Sequence, residues 1–174
     1  MPWEGFKRWR AAADISSIGL MALDECLALH RTKFGNVQLV NWQSRELPML
    51  VHRGFGKSFL SSFQTVKLAD ATACARAAYQ RGPIAIADVR HDPAFEPYLP
   101  AAEQAGFRSV LSMPMISGRG ALVGILSVHF ASPHEVSKLD LRETATVAQR
   151  GADLLLRGLA KLGPQTDVGT LHLR

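Results

Sequence analysis

Arg108-Ser109-Val110-Leu111-Ser112-Met113-Pro114-Met115-Ile116 and Ala121-Leu122-Val123-Gly124-Ile125-Leu126-Ser127-Val128-His129-Phe130-Ala131 are joined by Ser117-Gly118-Arg119-Gly120, and this stretch decides how the chain folds. Both runs are long, apolar and rich in strand-forming residues, and the connection is built from residues that tolerate positive φ. They read as the two principal strands of an antiparallel sheet. Alternation puts Ile125, Ser127 and His129 on one face of the second strand.

Downstream of this hairpin the period changes from two to that of a helix. Ser137 is a good N-cap, with Asp140 near the positive end, and Leu141, Ala145, Ala148, Ala152, Leu155, Leu159 and Leu162 recur at steps of four and three. Gly163-Pro164 is a strong stop, and residues 163–174 read as a flexible polar tail. Upstream, Ile84 to Ala87 reads as a short strand, followed by a proline-rich irregular loop over Asp88 to Pro100 and one helical turn over Ala101 to Ala105. Asp88 reads as a cap for that loop's backbone donors. Lys57 to Phe63 and Thr72 to Arg81 read as short helices. Val37 to Val40 and Met49 to His52 read as a hairpin, with Pro48 marking the second strand as a sheet edge. Asp14 to Arg31 is an amphipathic helix carrying Ile15, Ile18, Ala22, Cys26 and Leu29 on one side.

The order of elements predicts an α+β domain. The two end helices cover one face of the sheet, and the middle segment, Lys57 to Ala105, covers the other. Such an irregular crossing is a natural place for a small-molecule cavity. The boundaries read as an N-terminal extension over 1–13, one domain over 14–162 and the tail.

Composition agrees and excludes other classes. With 174 residues, 47% hydrophobic and 20% charged, the chain has the length and apolar content of one folded domain. The net charge of +5 is dispersed apart from Lys7, Arg8 and Arg10, so a nucleic-acid partner is not expected. The longest apolar run, Ile15 to Leu23, is too short for a membrane span, and a soluble, cytoplasmic protein is expected. Cys26 and Cys74 cannot build a disulfide framework, and the histidines show no metal-ligand spacing. There is no phosphate loop, no nucleophile elbow and no catalytic carboxylate pair.

Several stretches, in order, resemble a GAF domain, the small-molecule sensing module of bacterial signalling proteins. They are Gly35-Asn36-Val37-Gln38-Leu39, Arg53-Gly54-Phe55, Ala73-Cys74-Ala75-Arg76-Ala77, and Ile86-Ala87-Asp88-Val89 with Asp92-Pro93-Ala94-Phe95. After these come Ala105-Gly106-Phe107-Arg108-Ser109-Val110, Ser112-Met113-Pro114-Met115-Ile116 and Gly124-Ile125-Leu126-Ser127-Val128-His129-Phe130. The pattern is most similar to the GAF domains that accompany bacterial sensor histidine kinases. The resemblance implies a profilin-like or PAS-like antiparallel sheet of five to six strands, with terminal helices on one face and a helical crossover on the other. It implies a cavity lined by Phe59, Phe63, Cys74, Phe95, Tyr98, Val110, Ser112 and His129, with His129 at a place resembling a pocket histidine of phytochromes. It does not name the ligand or cofactor, because one fold hosts many functions.

Three functions compete. The first is a non-catalytic sensor that binds a small molecule and signals through its terminal helices to a partner protein in trans. The second is a dimerisation module whose aromatic residues fill the cavity. The third is a redox enzyme similar to the free methionine sulfoxide reductases that share the fold. That chemistry needs a resolving thiol within reach of the attacking one, and Cys26 belongs to the opposite face from Cys74. A homodimer through the terminal helices is expected, because Leu20, Leu23, Leu27, Val147, Leu154 and Leu156 lie outside the core-facing stripes.

Overall fold

In the computed structural model the described residues are 14–162. The extension with Trp3, Phe6 and Trp9, and the tail after Leu162, lie outside them. The chain runs through α1 (Ile15–His30), β1 (Phe34–Leu39), β2 (Glu46–Arg53), α2 (Lys57–Phe63), β3 (Thr65–Lys67), α3 (Ala73–Gln80) and β4 (Ile84–Ile86). Two 3-10 turns, Val89–His91 and Pro93–Tyr98, lead into α4 (Leu99–Ala105), β5 (Ser109–Ile116), β6 (Leu122–Phe130) and α5 (Lys138–Leu162). The six strands form one antiparallel sheet in the order β3-β2-β1-β6-β5-β4.

The β5–β6 hairpin extends from the centre of this sheet toward β4, and its register runs from Ser109 with Phe130 to Ile116 with Leu122. Alternation divides the interior into two cores. Leu111, Met113, Met115, Leu126 and Val128 face α1 and α5, where they meet Ile18, Ala22, Leu23, Cys26, Val147, Ala148, Ala152 and Leu155. Val110 and Ile125 face the crossover, where they meet Phe55, Phe59, Phe63, Phe95, Phe107 and the alanine-rich α3. Local signals act where the sequence puts them. Asp14 accepts from the Ser17 N–H and opens α1, Thr72 opens α3, Ser137 accepts from the Asp140 N–H, and Gly106 closes α4 at φ +82°.

Two expectations are corrected. β3 has only three residues, too few to show a period, yet it pairs Glu46, Leu47 and Pro48 of β2 with Lys67, Val66 and Thr65. Thus β2 is not the sheet edge that Pro48 suggested. Pairing of β2 with β1 stops at Met49 opposite Gln38, so the missing proline N–H falls beyond that ladder. The core face of α5 is also rotated from the heptad stripe. Thr144, Val147, Ala148, Gly151, Ala152 and Leu155 are buried while Ala145 is exposed. Thr144 is inside because its hydroxyl meets His30 Nε2 at 2.7 Å and donates to the Asp140 carbonyl at 2.6 Å, which ties α5 to α1.

The residues expected to lie spare on the end helices are largely used by this core. Leu23, Leu27 and Val147 are buried, and Leu20, Leu154 and Leu156 pack against it half-buried.

Gly124 marks where the sheet allows no side chain, since a Cβ there would lie 2.3 Å from the Gln38 carbonyl oxygen of β1. Gly124→Ala is expected to force β1 and β6 apart and to cost about 1–3 kcal/mol. A lower urea midpoint with unchanged far-ultraviolet dichroism would show this, and an unchanged midpoint would contradict it.

Candidate functional site

Three rows of residues cross the sheet on its crossover side. Phe34, His129 and Val110 form the first, Asn36, Ser127 and Ser112 the second, and Gln38, Ile125 and Pro114 the third, each set by the β1–β6 and β5–β6 registers. Above these rows sit Phe59 and Phe63 of α2, Val66 of β3, Thr72 to Cys74 at the start of α3, Phe95 of the second 3-10 turn, and Phe107 just before β5. Between sheet and crossover they leave a cavity of about 30 Å³, enough for roughly two water molecules.

Aromatic packing makes the cavity this small. Phe55 and Phe59 stack with centroids 3.5 Å apart, and Phe59 leans on Phe63 at 4.8 Å. The His129 imidazole stands among them, edge-on to Phe107 at 4.6 Å, Phe55 at 5.0 Å and Phe59 at 5.8 Å. Its strand is anchored where the Thr32 hydroxyl donates to the His129 carbonyl.

Among the described residues no Asp, Glu, Lys or Arg lines the cavity, so its polarity comes from neutral groups. Ser112 and Ser127 share a 2.7 Å hydrogen bond, Gln38 Nε2 donates to the Leu47 carbonyl at 3.1 Å, and Thr72 Oγ1 and Cys74 Sγ lie 3.3 Å apart. Asn36 Oδ1, Gln38 Oε1 and His129 Nδ1 are buried without a hydrogen-bond partner among the protein atoms. Such atoms carry a desolvation cost that a bound molecule could relieve. Burial pushes the His129 pKa down to about 3, so the imidazole is neutral.

Burial also raises both thiols, Cys26 to about 12, and they lie in the two different cores, with the sheet between them. Asp88 accepts from the Arg90 N–H as a cap, and the Arg108 guanidinium beside it holds its carboxyl below the usual carboxylate range. Among the described residues no group of three or more His, Cys, Asp or Glu could hold a metal ion, and no helix is long and apolar enough to cross a membrane.

Seven of the eight expected lining residues surround this cavity: Phe59, Phe63, Cys74, Phe95, Val110, Ser112 and His129. Tyr98 does not. Its hydroxyl accepts from the Ala71 N–H at 3.3 Å, and its ring backs Phe63 and Phe95 from outside. Asn36, Gln38, Val66, Thr72, Ala73 and Phe107 join the lining without being expected from the sequence, although Asn36 and Gln38 carry a signal. Polar residues alternate with Val37 and Leu39 there, a pattern that ordinarily marks a solvent face, whereas both side chains are buried.

The GAF family model matches residues 12–155. The chain belongs to the GAF domain family. It is a regulatory and sensory fold, and this chain's six-stranded sheet with five helices matches solved members. The GAF domain of a phosphoenolpyruvate-protein phosphotransferase from Coxiella burnetii superposes with a TM-score of 0.76 at 17% identity, covering 91% of this chain and 92% of that one. A domain of a putative two-component sensor histidine kinase protein from Sinorhizobium meliloti gives 0.68 at 13% identity, over 89% and 99%. The blue-light-absorbing form of the Thermosynechococcus elongatus PixJ GAF domain gives 0.66 at 18% identity, over 92% and 95%. Among curated proteins none matches the chain.

The depressed pKa of His129 fixes an acid response. An unfolded histidine binds a proton near pH 6.5 while the folded one does not until about pH 3, so the unfolded state gains protons first as pH falls. The contribution of the neutral imidazole is intact above pH 6.5 and is lost progressively between 6.5 and 3. The slope is up to about 1.4 kcal/mol per pH unit. Burial lowers His30 and His52 in the same direction. Urea unfolding from pH 7.5 to 4.5 should show stability falling, with a shallower fall in His129→Leu, and equal slopes would contradict this.

Proposed function

We propose that this GAF domain is a non-catalytic sensory module. An uncharged small molecule with a flat apolar body and hydrogen-bond donors enters the cavity between sheet and crossover, and its presence is passed to a partner protein through α1 and α5. The observation that carries this reading is the set of buried polar atoms, Asn36 Oδ1, Gln38 Oε1 and His129 Nδ1, among phenylalanine rings. The two amide oxygens can only accept, so the ligand must donate. With no charged side chain at the lining and a neutral imidazole, a charged ligand would be desolvated without compensation. Entry requires the aromatic packing of the crossover to loosen, because the cavity is far smaller than usual ligand pockets.

Transmission has a physical route. The strands that present Val110, Ser112, Ser127 and His129 to the cavity present Leu111, Leu126 and Val128 to the terminal helices. A close-packed interior passes displacement from one face to the other, and the ligand shifts the helices only by binding one arrangement better. Two buried, protonated thiols in different cores support a regulatory reading over a thiol redox enzyme. They also suit the cytoplasm, the compartment this reading assigns.

A dimer through α1 and α5 is the second reading. It is favoured by Leu139, which is 56% exposed, and by Leu154, Leu156 and Leu159, which the core covers only in part. Sedimentation at about tens of micromolar, the range of weak pairs, should show a dimer under this reading, and a monomer would contradict it.

Native mass spectrometry of the purified chain tests the ligand. A non-covalent adduct is expected that disappears on denaturation. Asn36→Leu should release it while holding or raising the melting temperature, since it removes a buried unpartnered oxygen worth about 1–3 kcal/mol. A wild-type chain that carries no adduct, together with a clear loss of stability in Asn36→Leu, would overturn the reading.

A further inference from the structure

On the outer side of the crossover, Trp42, Arg45, Leu68, Ala78, Tyr79 and Arg81 line a depression of about 170 Å³. Trp42 is 60% and Tyr79 88% exposed, although large aromatic rings are costly to leave in water. Arg45 and Arg81 supply the charge, while the nearest acids along the chain, Glu46 and Asp70, lie outside the lining. We propose that this depression is a docking site for an acidic segment of a partner protein, whose carboxylates meet Arg45 and Arg81 while an apolar side chain packs between Trp42 and Tyr79.

The depression is held in shape by its backbone. Asn41 Oδ1 accepts from the N–H groups of Gln43 and Ser44, fixing the turn that carries Trp42. The Leu68 N–H donates to the Arg45 carbonyl at 2.9 Å, tying that turn to the end of β3. Arg81 Nη2 donates to the Gly120 carbonyl at 2.6 Å, tying the end of α3 to the β5–β6 turn. Three residues other than glycine have positive φ among the described residues, and two of them are Arg45 at +59° and Arg81 at +52°. At Arg81 this is the ordinary left-handed end of α3, and at Arg45 it closes the turn ahead of β2. Trp, Tyr and Arg are also the residues that dominate binding energy at protein interfaces, because rigid rings and a planar fork lose little entropy on contact.

Charge complementarity selects the occupant. Two guanidinium groups beside an apolar floor of Leu68 and Ala78 fit carboxylates flanking one apolar side chain. A nucleic-acid strand would require a track of cations beyond the two found at this depression. The site is independent of whether the internal cavity takes a ligand. The two are adjacent, however, since Val66 of β3 with Ala73 and Cys74 of α3 line the cavity, and Leu68 just after β3 with Ala78 and Tyr79 of α3 line the depression.

A random peptide library panned on the full chain, with the Arg45→Asn/Arg81→Asn double variant as the subtractive target, tests the proposal. Asparagine tolerates the left-handed backbone at both positions, so the double variant should fold, losing little beyond the Arg81–Gly120 hydrogen bond. Enriched peptides are expected to carry Asp or Glu around an apolar residue. A fluorescein-labelled copy of the leading peptide should bind about tenfold more weakly to Trp42→Ala and to Arg45→Asn, and more weakly as sodium chloride is raised. Failure to enrich against the double variant, enrichment without acidic residues, or unchanged affinity in both single variants would overturn the proposal. Tighter binding of labelled oligothymidylate, weakened by the same variants, would give the depression to nucleic acid instead and overturn it. Self-association of the wild type that Trp42→Ala abolishes would give it to a second copy and overturn the proposal as well.

Discussion

A strand has two faces and no third, and in this chain both faces of the central strands are buried. β5 has seven buried residues in eight and β6 is buried throughout, so each step along them hands a side chain alternately to the helices and to the crossover. A slip of one residue would exchange the two cores completely, placing His129, Ser112 and Ser127 against α1 and α5. The pairing of β5 with β6 therefore decides the composition of each core, and the identity of the cavity lining follows from it.

The two cores are built to different standards. The helix-side core is mostly aliphatic, apart from Phe130, and is clamped by long elements: 16 residues of α1 and 25 of α5. Its buried polar pair, His30 with Thr144, is joined across the helices. The crossover-side core is richer in aromatic rings and is covered by helices of seven or eight residues and two 3-10 turns, beside edge strands of three residues each. Unpartnered buried polar atoms occur on both sides, His30 Nδ1 in the helix-side core and Asn36 Oδ1, Gln38 Oε1 and His129 Nδ1 here, but short elements mark the lower end of local stability. Half-buried ion pairs at its rim, Arg108 with Asp88 and Arg76 with Asp92, add side-chain ties to the packing of this layer. One face is a frame and the other a cover.

Much of this arrangement is legible in the sequence wherever a period runs long enough. The β5–β6 hairpin, the end helices and the division of the sheet into two faces follow from alternation and 3.6-residue spacing; alternation groups Ser127 with His129, and the resemblance to GAF domains turns that face, with Val110 and Ser112, toward the crossover. Three-residue β3 carries no period, and its pairing with β2 is a tertiary event. Thr144 looks like a solvent-facing residue of α5 because nothing local announces a partner 114 residues away in His30. Asn36 and Gln38 escape a reading of the sequence because their alternation with Val37 and Leu39 is the usual mark of an exposed strand face, and only the crossover above them makes that face interior. Tyr98 is placed at the cavity by its position on the crossover, but its hydroxyl accepts from the Ala71 N–H, a contact that no local pattern announces.

The central claim is that the crossover opens as a unit from a sheet-and-helix frame that stays closed. Native-state hydrogen exchange, followed residue by residue at low denaturant, tests it most directly. Amides of α2, α3 and the 3-10 turns should exchange through openings that cost clearly less than global unfolding, while those of β5, β6 and α5 should exchange only with global unfolding. Protection equal to the global value throughout 57–105 would contradict the claim, because a cover that opens only when the whole domain unfolds cannot admit a ligand.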